Sequence, residues 1–227
     1  MRAVCLQHVP FEGPGVFATS LANLGVPLDC HLVPKDGLPP DPGDLLIVMG
    51  GPMSVNDPDP WIAEETAFIR SAILAGKSVL GVCLGSQFMA KALGAPVRPG
   101  RALEIGKTRI QLTDEGKNDP VFGGFLEDFS VFEWHGEVFE LPQDCVALAG
   151  SEIAPLQAFR FGSRAYGLLF HLEVEMDGIK SLCRECAPDL ARAQLTVRQV
   201  LIGAIPHLWL SHQIADRLVN HLLTPAR

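Results

Sequence analysis

A chain of 227 residues, 48% hydrophobic and 19% charged, has the composition of a packed globular protein and excludes a disordered or collagen-like one. Its length suits a single sizeable core better than two. Eighteen Lys and Arg against 26 Asp and Glu give a net charge of −8 without a long like-charge run, which argues against a nucleic-acid or anionic-membrane surface. Six cysteines are too few for a disulfide scaffold at this size, which favours a reducing, cytoplasmic setting. The first eight residues are interrupted too soon for a secretory signal. The most apolar stretch, residues 200–210, is broken by Pro206 and His207, short of the roughly 20 residues a membrane span requires.

Short apolar runs predict strands at 3–8, 28–33, 45–49 and 79–82. The last two are near-continuous, as strands buried on both faces of a parallel sheet are. After the first, Gly13-Pro14-Gly15-Val16-Phe17-Ala18 approximates a G-x-G-x-x-A dinucleotide fingerprint. That fingerprint needs an acidic residue at the end of the next strand, whereas Asp29 falls near its start. The turn is therefore read as cleft wall, with His8 near the site. Asp59-Pro60 starts a helix with Ile62, Ile69 and Ile73 on one face, and Gly76 ends it. Residues 83–93 read as a further helix, stopped by Gly94 and Pro96. This alternation predicts an α/β fold with a doubly wound, mostly parallel central sheet flanked by helices, and a ligand site beyond the carboxyl ends of the strands. Further strands are expected at 103–112, 130–134, 145–149, 156–161 and 165–170. A helical segment over about 176–227 closes a single domain spanning 1–227.

The sharpest local signal is Gly81-Val82-Cys83-Leu84-Gly85-Ser86-Gln87, where an apolar strand gives way to a helix. Glycines two residues either side of a nucleophile permit a tight strand-to-helix turn. The sulfur then sits at the carboxyl edge of the sheet and at a helix N-terminus, whose partial positive charge favours a thiolate. The Leu84 N–H is placed to meet an oxyanion, and Gln87, one turn on, shares the face of Cys83. A base and an orienting group are required. Two His-x-Glu pairs at strand ends offer them, His135-Gly136-Glu137 and His171-Leu172-Glu173, and spacing alone does not choose between them. The turn Met49-Gly50-Gly51-Pro52-Met53-Ser54 offers the Gly51 N–H as a second oxyanion donor.

With these residues in view, the chain resembles a class I (triad) glutamine amidotransferase, of the stand-alone GMP-synthase-like kind with a flavodoxin-like fold. Four ordered blocks carry the likeness across about residues 3 to 175: residues 49–55; residues 79–87 with Ala90 and Leu93-Gly94; Trp134-His135-Gly136-Glu137; and Tyr166-Gly167-Leu168-Leu169-Phe170-His171-Leu172-Glu173. The resemblance implies Cys83 as nucleophile, His171 as base and Glu173 as its orienting partner. It further implies Gly51 and Leu84 as oxyanion donors, and Gln87, Trp134, His135, Gly136 and Glu137 as substrate contacts. Leu172 stands where the family usually has proline, and Glu175 is a second acidic residue on that strand face.

The reading that follows is hydrolysis of the glutamine side-chain amide through a Cys83 thioester, releasing ammonia and glutamate, with no metal or organic cofactor. A γ-glutamyl peptidase using the same triad is the alternative, and a non-catalytic regulatory subunit on the same fold is the third reading. The length leaves no room for an acceptor domain, so either a separate ATP-dependent synthetase subunit receives the ammonia or the protein works alone. Cys183 and Cys186 form C-x-x-C without a second ligand pair, and His207, His212 and His221 fall in the terminal helices; these read as packing residues.

Overall fold

The computed structural model describes residues 1–224. Its strands are β1 (Ala3–Gln7), β2 (Leu28–Leu32), β3 (Leu45–Val48), β4 (Ser78–Val82), β5 (Val97–Leu112), β6 (Asp128–Phe139), β7 (Cys145–Gly150), β8 (Ala158–Phe161) and β9 (Ala165–Leu168). The helices are α1 (Gly15–Asn23), α2 (Val33–Asp36), α3 (Pro60–Leu74), α4 (Leu84–Ala92), α5 (Asp114–Lys117), α6 (Met176–Glu185), α7 (Ala187–Arg192) and α8 (Val197–Leu223). All nine strands form one sheet in the order β2-β1-β3-β4-β9-β8-β7-β5-β6.

The sheet is mixed, which corrects the expectation of a mostly parallel one. From β2 through β9 the neighbours are parallel, and from β9 through β6 they are antiparallel. The cause lies in the connections. A parallel return needs a crossover of a dozen or more residues, and β7, β8 and β9 follow one another through short turns that reverse the chain. In the parallel part, alternate side chains enter different cores. Ala3 and Cys5 of β1 and Leu45 and Ile47 of β3 pack with Phe17 and Leu21 of α1 and Leu218 of α8. Val4, Leu6, Leu46 and Val48 face Ile62 and Ile69 of α3 and Phe88 of α4. Burial on both faces is why these strands carry no alternation in the sequence.

Several boundaries differ from expectation for local reasons. β5 begins at Val97 rather than 103, because Pro99 and Gly100 sit at a register shift between Pro99 and Glu104, where a missing ladder bond costs little. β6 runs on to Phe139, so residues 134–137 lie within a strand rather than at its end. The Gly13–Gly15 turn opens α1. Gly15 is at φ +45°, and a Cβ there would overlap the Glu173 carbonyl oxygen, while the Val16 N–H donates to that oxygen at 2.9 Å.

The C-terminal segment holds α6, α7 and α8, from Met176 to Leu223, and residues 225–227 of the expected helical segment lie outside the described residues. α8 opens with a Thr196–Gln199 capping box. Its first turns pack Val200 and Ala204 on Phe132 and Trp134, and its last turns pack Ile214 and Leu218 on the parallel strands. Among the described residues no helix is long and apolar enough to cross a membrane. His212 Nε2 donates to the Val174 carbonyl at 2.9 Å, and His221 Nε2 to that of Ser163 at 3.0 Å. Burial, with Lys107 nearby, lowers the His207 pKa to about 4.

α4 crosses β3 closely because Gly85 has no side chain: a Cβ would overlap the Val48 carbonyl oxygen. The variant Gly85→Ala is expected to lose about 1–3 kcal/mol of stability, read as a lower urea midpoint.

Candidate active site

Cys83 caps the N-terminus of α4 with φ 50° and ψ −110°, a conformation that costs a non-glycine residue of order 1–3 kcal/mol and clusters at functional sites. It is held from three sides. The Cys83 N–H donates to Leu168 O of β9 at 2.8 Å, and Cys83 O accepts from Ser86 and Gln87 N–H at 3.0 and 3.2 Å. A Cβ on Gly81 would collide with the Gly85 backbone, so glycine at both positions is what lets α4 turn back over β4. The sulfur lies 3.4 Å from the Trp134 carbonyl oxygen on β6.

His171 follows β9 and is bound to β6 by its N–H, which donates to Phe132 O at 2.9 Å. Its Nδ1 lies 2.7 Å from Glu173 Oε1. Its Nε2 is buried and has no partner among the described residues. Burial lowers the His171 pKa, and the Glu173 charge and contact with Cys83 outweigh it, so the imidazole sits well above its ordinary value. Leu172, in the place of a proline, is fully buried in the core. Core packing, the Phe132 bond and the Val16 bond to Glu173 O therefore provide the rigidity a proline ring would. Glu175 is exposed and immediately precedes α6, leaving Glu173 as the carboxylate on His171.

Gly51, Cys83, Gln87, Trp134, His135, Gly136 and Glu137 all line one cleft of about 350 Å³. His171 and Glu173 line an adjoining cavity of about 220 Å³, and Glu12 lines both. Leu84 is buried, with its side chain against Gly51. The Gln87 amide donates to Glu137 O at 3.4 Å and the Ser54 hydroxyl to Glu137 Oε1 at 3.1 Å, which ties α4 and the Gly51 turn to β6. Trp134 Nε1 donates to Asp189 Oδ2 at 3.3 Å. Cys186 and Arg192 also line the cleft.

Three further acidic residues belong to the site, Glu12, Glu104 and Glu133, and were not singled out from the sequence. Glu12 lies in the loop after β1, and its carboxylate presses against Gly50, so close that a Cβ there would strike it. Burial raises its pKa, His171 and His8 oppose and Glu173 assists, to give about 7. Glu104 and Glu133 form a buried cluster with His135, whose Nε2 lies 3.3 Å from each carboxylate. His135 Nδ1 donates to Glu137 O at 3.2 Å, and Glu104 also accepts from Ser151 and Gln157. Burial opposes charge on His135, but the contacts to Glu104 and Glu133 prevail and raise its pKa to about 10. The available signal was period-two spacing: Glu133 and His135 share one face of β6, and Glu104 pairs with His135 in the β5 register.

The comparisons with known proteins bear on this geometry. The model of the class-I glutamine amidotransferase family matches residues 17–182. The chain belongs to that family. Among relatives, the glutamine amidotransferase-like protein YfeJ of Salmonella typhimurium is 32% identical over 202 residues, covering 86% of this chain and 84% of that protein. One of the subunits of glutamine-hydrolysing GMP synthase from Saccharolobus solfataricus is 36% identical over 58% of this chain and 68% of its own length. A crystal structure of a glutamine amidotransferase from Thermotoga maritima superposes with a TM-score of 0.89 at 27% identity, over 99% of both chains. The family model stops within α6, whereas this last likeness extends through α8.

The His135 cluster gives a stability prediction. The variant His135→Ala leaves two buried carboxylates without their cation and is expected to lose about 3–5 kcal/mol at pH 8 in urea unfolding. Adding Glu133→Gln should recover part of that loss. The folded value of about 10 exceeds the ordinary 6.5, so the wild-type stabilisation from this proton is complete below about pH 6.5 and is lost as pH rises through 10.

Proposed function

We propose that this glutamine amidotransferase family member hydrolyses the side-chain amide of glutamine with Cys83, His171 and Glu173 as its triad. The observation that carries the reading is the orientation of His171. Glu173 occupies Nδ1, which leaves the buried Nε2 as the nitrogen free to exchange a proton beside Cys83. The Cys83 thiolate attacks the carboxamide carbon. A carbon–sulfur bond forms, and the carbonyl electron pair moves to oxygen, met by the N–H groups of Gly51 and Leu84. Collapse breaks the carbon–nitrogen bond as the His171 imidazolium gives its proton to departing ammonia. His171 then takes a proton from water, whose oxygen bonds to the thioester carbon, and collapse breaks the carbon–sulfur bond, releasing glutamate and restoring the Cys83 thiolate beside the His171 imidazolium. Gln87 and residues 134–137, which line the same cleft, hold the amino-acid end of the substrate. General base catalysis contributes about 10²–10⁴ and each oxyanion donor about 10²–10³.

The ammonia passes to a separate ATP-dependent synthetase, a reading supported by relatives that are named as one of the subunits of GMP synthase. Copurification of such a synthetase is the direct test of that part.

Glutamate release from L-glutamine should fall to background in Cys83→Ala, and by about 10³-fold or more in His171→Ala. Retention of substantial activity in the Cys83 variant would remove that residue as nucleophile. Parallel incubation with glutathione decides the substrate. Release of glutamate from the peptide with none from glutamine would make the enzyme a γ-glutamyl peptidase.

A further inference from the structure

The Gly50–Gly51 turn is braced from behind by a buried pair that the chemistry above does not use. His8, just after β1, directs Nδ1 at the Gly50 carbonyl oxygen, 3.0 Å away, and Nε2 at Glu65 Oε1 of α3, also 3.0 Å away. Both side chains are fully buried. The ring packs against Trp61 and Phe88, with centroids 5.8 and 5.5 Å distant, and those two rings also touch each other. A carbonyl oxygen only accepts, so Nδ1 must carry a proton, and Glu65 keeps the ring from turning that proton elsewhere.

The consequence lies one bond further on. In a trans peptide the carbonyl and the following N–H point to opposite sides. Holding Gly50 O toward His8 therefore turns the Gly51 N–H away from His8. That N–H has no partner among the described residues. The peptide lies beside the nucleophile, since a Cβ on Gly50 would stand 3.5 Å from Cys83 Cβ. Two glycines in sequence leave the peptide free to flip, because neither has a Cβ to resist it. Something outside the turn must choose the orientation.

We propose that His8, locked by Glu65, is a positioning residue that fixes the Gly50–Gly51 peptide with the Gly51 N–H aimed at the oxyanion formed over Cys83. This rests on the reading of Gly51 as an oxyanion donor in amide hydrolysis. It assigns a role to the strand-end histidine and to a buried carboxylate of α3, neither of which touches the substrate.

Two substitutions separate the two ends of the ring. The Asn side-chain nitrogen reproduces Nδ1 and that of Gln reproduces Nε2, so His8→Asn keeps the bond to Gly50 O, while His8→Gln keeps only the bond to Glu65. Kinetics with L-glutamine should show kcat lowered about 10²-fold in His8→Gln, the size of a lost oxyanion donor, with KM within about threefold. His8→Asn should remain within about tenfold of wild type. Alkylation of Cys83 by iodoacetamide, followed by mass spectrometry of its peptide, displaces iodide without forming an oxyanion and should proceed at the wild-type rate in both variants.

Equal loss of kcat in the two variants, or wild-type kcat in His8→Gln, would overturn the inference. So would a fall in alkylation parallel to the fall in kcat, which would mean a general disturbance of the site. Should His8→Gln not fold, a 10²-fold loss of kcat in His8→Asn with normal alkylation also overturns it. Wild-type protein that alkylates normally at Cys83 yet hydrolyses neither glutamine nor glutathione would instead defeat the hydrolase reading, and this inference with it.

Discussion

The turn that carries Cys83 sets the terms for the rest of the molecule. A cysteine at φ 50° persists only where its surroundings over-determine it, and here they come from distant parts of the chain. β9 supplies the carbonyl that receives its N–H, α4 supplies the two amides that bind its carbonyl, and Gly81 and Gly85 permit the close crossing. The parallel strands are thus less a container than a clamp, with the strained residue placed where β4, α4 and β9 meet. The left-handed backbone points the thiol out of the sheet edge, toward the segment of β6 that bears Trp134.

Opposite that turn, the floor of the cleft is built on buried charge. β6 brings Trp134 O to the sulfur, and the residues on either side of that contact, Glu133 and His135, are committed to the cluster with Glu104. A buried pair of carboxylates around one imidazolium contributes little net stability compared with a well-packed apolar core, but it is intolerant of losing a member. It restrains the register of β6 against β5 through interactions that a slip of one residue would break. The cleft is therefore bounded by a strained backbone on one side and by a charge cluster on the other, both unforgiving of small displacement.

The parts of this arrangement that were legible in the sequence are those encoded locally. Glycine spacing around Cys83, the continuous apolar runs of β3 and β4, and the His-x-Glu pairs each leave a signature within about ten residues. The resemblance to a family, carried by blocks such as residues 166–173, distinguished the two histidine pairs where spacing did not. What escaped is set by tertiary pairing. The start of β5 at Val97 rather than 103 was not legible because the register shift between Pro99 and Glu104 depends on β6. Gly13–Gly15 read as a turn because the need for Gly15 comes from the Glu173 carbonyl, roughly 160 positions away. The antiparallel half of the sheet was missed because strand direction follows from how connections close in space, which apolar runs do not record. Glu12, Glu65, Glu104 and Glu133 are single acidic residues whose significance exists only once the fold brings imidazoles to them.

α8 joins regions that the sheet alone connects only through its edges. Its first half packs on the strand that floors the cleft and on α6, its second on α1 and the parallel strands, and Pro206 falls between the two. At 27 residues it is about 40 Å long, a strut fastened at both ends across the back of the molecule. Because proline removes one backbone hydrogen bond from the helix interior, the strut is weakest about a third of the way along, at Pro206. Val200 and Ala204, on the N-terminal side of that proline, hold the strand that floors the cleft, and Ile214 and Leu218, on its C-terminal side, hold the strands that carry Cys83, so one helix sets the spacing of the two walls.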